Sequence, residues 1–133
     1  GRFARTEGRD AEFDALLRQA QAAAARARPR YEAAVLLAVA LGATPTGDQR
    51  AVIAGFTAPL GVATSGRLAA LNLAADAGLK GETALLVLAI VGDAEGKPRP
   101  ADYAPMVSAL RRVGLTDAAT AFADEAFRAL QVE

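Results

Sequence analysis

The chain has no cysteine, no histidine and no tryptophan, its aromatic content is 5%, and over 133 residues its formal net charge is zero. Without cysteine there is neither a disulfide framework nor a thiol nucleophile. Without histidine there is no imidazole to bind a metal or move a proton near neutral pH. Fifteen basic and fifteen acidic side chains cancel, which removes the overall attraction that sequence-independent nucleic-acid binding relies on. The longest apolar runs, 33–43 and 84–91, fall short of the roughly 20 residues of a membrane-spanning helix. No segment alternates with a period of two, so no sheet is expected.

Fragments of known site patterns are present but incomplete. Gly61, Gly66 and Arg67 stand as G-x-x-x-x-G-R, without the Lys-Ser/Thr or the preceding strand of a phosphate loop. Lys80-Gly81-Glu82-Thr83 is equally partial, and both stretches read as helix boundaries. Asp93, Glu95 and Asp102 gather around residues 92–100 but match no calcium-loop spacing, and Lys97 interrupts them. No carboxylate pair is set up for acid–base work. The expectation is a noncatalytic protein with no cofactor and no metal.

What the chain does have is small apolar residues. Hydrophobic content is 53%, with 35 alanines, and alanine is the best helix former. At this length one domain, 1–133, burying about two-thirds of its unfolded surface is expected. The chain begins at Gly1 with no basic-then-apolar leader, which suggests a processed product or part of a longer protein. Thirteen Arg against two Lys beside so many alanines suggests a GC-rich bacterial source, in cytoplasm or periplasm. Residues 1–67 carry nine basic and six acidic side chains and residues 68–133 six and nine, an asymmetry that would favour head-to-tail self-association or steer a partner.

Periodicity and caps predict six or seven short helices. The first runs from Asp10 as N-cap to about Arg26, with Phe13, Leu16, Leu17 and Ala20 inward; the second from Arg30 to Leu41 after Pro29. Thr46 and Gln49 form a capping-box pattern opening a third. Thr64 or Ser65 caps a fourth, ending at Gly78. A fifth, from about Gly81 to Val91, is apolar on every face over residues 84–91, and is expected to be surrounded by the others. Residues 92–100 form the longest stretch without helical pattern. The sixth begins at Asp102, with Met106, Val107, Leu110 and Val113 inward and Arg111 and Arg112 outward. The seventh, with Thr116 as N-cap, is the most clearly amphipathic. Gly1–Arg9, with Phe3, reads as the frayed end of a preceding helix.

Gly42, Gly78 and Gly114 each end a helix, 36 residues apart, and the positions before them align: Tyr31 with Arg67 and Tyr103, Val35 with Leu71 and Val107, Ala38 with Ala74 and Leu110. Three helical hairpins at about 29–58, 64–92 and 101–131 follow. This spacing, with Leu41-Gly42 matching a Leu-Gly pair, resembles the tetratricopeptide-like α-solenoids, and more loosely the Ala-rich helical regions of bacterial cell-envelope proteins, over Pro29 to Leu130. The resemblance implies a scaffold that holds protein or peptide partners. A compact seven-helix bundle is the alternative architecture.

The candidate partner surface is Tyr31, Arg67 and Tyr103, at equivalent repeat positions, together with Arg26, Arg28 and Arg30 at the junction of the first two helices. Each has a plainer reading. Tyrosines at helix starts pack against a neighbouring hairpin, and arginines near a helix end meet its free carbonyls. The function expected is a protein-interaction or structural scaffold, with binding of a small apolar ligand around the second and fifth helices as the alternative.

Overall fold

The structure, a computed structural model, describes residues 6–131; the expectation for Phe3 lies outside them. They form seven α-helices, α1 (Thr6–Ala22), α2 (Arg28–Ala40), α3 (Gly47–Ala54), α4 (Ser65–Asp76), α5 (Lys80–Asp93), α6 (Tyr103–Arg112) and α7 (Thr116–Leu130). A 3-10 turn, Pro100–Asp102, leads into α6, and no strand occurs among the described residues.

Local chemistry accounts for most helix ends. At α3 the capping box closes in both directions, Gln49 N donating to Thr46 Oγ1 at 3.2 Å and Thr46 N to Gln49 Oε1 at 2.9 Å. Thr64 Oγ1 accepts from Arg67 N at 3.1 Å and starts α4. Two expected caps and one expected helix start are corrected. Asp10 lies inside α1, and Thr116 is the first residue of α7 rather than its N-cap. Asp102 precedes α6, but its carboxylate is drawn to a distant loop and makes no cap bond there.

Gly42, Gly78 and Gly114 share one C-terminal geometry. Their φ angles are 107°, 73° and 86°, a region in which a side chain is strained. Their N–H groups donate to Val39, Ala75 and Arg111, and the next residues, Ala43, Leu79 and Leu115, donate to Ala38, Ala74 and Leu110. Each pair of bonds satisfies carbonyls that the end of a helix leaves open.

The centre of the molecule is α2 against α6. Helix α2 also contacts α1 and α7, and α6 also contacts α4, α5 and α7. Val35, Leu37, Met106 and Val107 are fully buried there, and α1 closes one side with Phe13, Leu16, Leu17 and Ala20. The expectation that α5 is the enclosed element is overturned. It contacts α4 and α6 and buries Thr83, Val87 and Ile90, while Leu85 and Leu88, one turn apart, are 68% and 66% exposed. An apolar face needs a neighbour on its own side, and no described element lies over this one.

The two exposed arginines of α6 are more than outward charge. Arg111 donates to the carbonyl of Ala40 at 3.3 Å and reaches the C-terminus of α2, where positive charge is favoured. Arg112 binds Asp76 at 2.6 Å and Asn72 at 2.8 Å, tying α4 to α6. Among the described residues no helix is long and apolar enough to cross a membrane.

Candidate functional site: an apolar cleft beside α2

Residues 55–64 connect α3 to α4 as a strap without regular structure. Two buried carboxylates hold it. Glu32, on α2 and 4% exposed, accepts from the amides of Thr57 at 3.2 Å and Ala58 at 2.9 Å, both on Oε1. Asp102, 2% exposed, accepts from Val62 at 2.9 Å and Ala63 at 3.1 Å on Oδ2. Hydrogen bonds to an ionised acceptor are stronger than neutral ones, and here they satisfy amides that no helix or sheet serves. Gly61 sits so close to Asp102 that a Cβ there would fall on the carboxylate. The glycine at 61 is therefore explained by the approach of an acid, and Asp102 occupies amides that a phosphate would need.

Pinned at both ends, the strap turns its middle outward, and Leu60 at its tip is 94% exposed. Between it and α2 lies a cleft of about 440 Å³. Pro29, Glu32 and Leu36 form one wall, Ala58, Pro59 and Leu60 the second, and Arg99 and Pro100 the third. The lining is predominantly apolar, with Glu32 at its base and Arg99 at an exposed edge. Glu32 and Phe56 also border a shallower hollow on the other side, shared with Arg28. The cleft is of the size that small-ligand sites have, but α5 contributes nothing to it.

The residues proposed from sequence are scattered. Tyr103 is a core residue, its ring 5.7 Å from that of Phe122. Burial, and then the charge of Glu125, raise its pKa above the ordinary tyrosine value of 10.0. Tyr31 is partly buried against the same core. Arg67 pairs with Asp93 at 3.0 Å, both partly exposed. Arg28 donates to the carbonyl of Ala23 at 3.0 Å, a helix-end contact; Arg26 is exposed and Arg30 half-buried. Only Arg28 approaches the site, bordering the shallower hollow.

The three acids near residues 92–100 also part company. Asp93 pairs with Arg67 and Asp102 turns to the strap, and no metal-holding group of acids occurs among the described residues. Sequence reasoning missed Glu32. Its one visible signal is a lone acid at the start of the apolar run Tyr31–Leu41. Comparison with protein-family models, curated proteins and solved structures finds no match to this chain.

Proposed function

We propose that this chain is a noncatalytic interaction module whose cleft beside α2 receives a protein or peptide partner. The observation that carries the proposal is the strap. A leucine 94% exposed at its tip is held in a defined place by two carboxylates buried at 4% and 2%. Buried acids are costly unless fully engaged, and a connection with no role in recognition gains little from such anchoring. A pre-shaped wall reduces the ordering cost of binding, and an exposed leucine beside prolines is the apolar anchor that a docking surface needs. A small apolar ligand is the second reading, favoured by the volume of about 440 Å³; it belongs to the α2 side of the molecule and not to α5.

The finer architecture, an α-solenoid with a 36-residue period, is supported by the identical caps at Gly42, Gly78 and Gly114 and by burial of the aligned Val35, Leu71 and Val107. Against an open array stands the packing of α2 on α6 and α7, which brings the first hairpin to the third. A repeat folded back into a bundle satisfies both observations.

A photo-crosslinking residue at position 60 tests the function, with one at exposed Asp117 on α7 as control. In source cells, position 60 should give a discrete adduct that position 117 does not, and Leu60→Asp should abolish competition by unlabelled protein. Equal labelling from both positions would refute docking at the cleft.

A further inference from the structure

The chemistry of the occupant follows from what Glu32 lacks. Both of its hydrogen bonds end on Oε1; Oε2 has no hydrogen-bond partner among the described residues and, although the residue as a whole is 4% exposed, Oε2 is not itself sealed from solvent. Among the described residues no cation forms an ion pair with it. Arg28, one turn earlier, is turned to the carbonyl of Ala23, and Arg99 stands at an exposed edge of the cleft with no ion pair to Glu32. A carboxylate in apolar surroundings is stabilised by a cation that also donates a hydrogen bond. The walls offered by Pro29, Leu36, Pro59 and Leu60 suit aliphatic groups.

We infer that the cleft binds an apolar peptide segment carrying a lysine, whose ammonium donates to Oε2 of Glu32 while flanking aliphatic side chains lie between α2 and the strap. The inference rests on the proposed docking at this cleft and specifies what docks. A lysine delivers its charge at the end of a flexible apolar stem, which fits an acid at the base of an apolar cleft. Arg99, of like charge, works against a second cation on the ligand.

The test is an NMR titration of the full chain with three probes: acetyl-Leu-Lys-Leu-amide, the same peptide with norleucine for lysine, and n-hexylammonium. The lysine peptide should shift the amides of Thr57 and Ala58 and bind about tenfold more tightly than the norleucine peptide, as expected for a hydrogen bond between charged groups in a buried setting. Glu32→Gln should remove that preference. If Glu32→Gln does not fold, Arg99→Ala serves instead, and should tighten the lysine peptide about twofold to threefold with no change for norleucine. Equal affinity of the two peptides, shifts confined to other surfaces, or no binding of either peptide would overturn the inference. Binding of hexylammonium alone would overturn the peptide occupant in favour of a small amine. An adduct from position 60 with no peptide binding would refute the ammonium while leaving docking intact; loss of both would refute the two together.

Discussion

Helices α2 and α5 differ in an instructive way. Residues 84–91 of α5 are entirely apolar, whereas α2 carries Arg28, Arg30 and Glu32 near its start. Yet α2 is the buried one, and α5 leaves Leu85 and Leu88 largely in solvent. Apolar content states what a helix could bury, and position in the packing decides what it does bury. Helix α2 lies among α1, α6 and α7, while α5 packs mainly against α4 and α6. The most hydrophobic segment of a chain need not be its centre.

Truncation separates the two regions most sharply. Leu37→Ala or Met106→Ala, at fully buried positions, should lower stability by about 2–5 kcal/mol in urea denaturation. Leu85→Ala and Leu88→Ala should stay within about 0.5 kcal/mol; a comparable loss there would mean that α5 is covered after all. Next in size, Asp102→Ala leaves the amides of Val62 and Ala63 without their acceptor and should cost about 1–3 kcal/mol, with NMR shift changes concentrated in residues 57–64. No change in the strap would show that it holds its course unaided.

Gly78→Ala isolates the cap of the α4–α5 hairpin. A Cβ there meets no atom within 4 Å, so only its φ of 73° is strained, and the expected loss is about 1 kcal/mol in thermal or urea unfolding. A neutral result would imply that the hairpin end adjusts freely. The smallest effect, of opposite sign, belongs to Thr83, the one buried polar side chain of α5, whose hydroxyl has no partner. Thr83→Val keeps the shape and should stabilise by about 1 kcal/mol or less; destabilisation would reveal a hydrogen bond the packing does not account for.

Helix number and most boundaries were legible because caps are local. Thr46 with Gln49, Thr64 and the glycines at 42, 78 and 114 act within six residues of themselves. The inward faces of α6 and α7 were legible for the same reason, through their periodicity. The place of α5 was not, since an all-apolar segment carries no stripe to orient it. The cleft was not either. Glu32 reaches amides 25 and 26 residues away and Asp102 amides 39 and 40 residues away, and such pairings depend on how helices meet. Asp102 read only as a helix start and one of the acids around residues 92–100, because the strap amides it serves are far away in sequence. Tyr103, chosen by repeat position as surface, is core because α7 brings Phe122 against it.

Hydrogen exchange of the native protein, read amide by amide, tests the packing scheme most directly. Local opening should be hardest where burial is deepest. The scheme predicts the slowest exchange in α2 and α6, faster exchange along α5, and clear protection at Thr57, Ala58, Val62 and Ala63 despite their place in an exposed strap. If α5 exchanged slowest and those four amides exchanged as in an open chain, neither the α2–α6 centre nor the carboxylate-held cleft would stand.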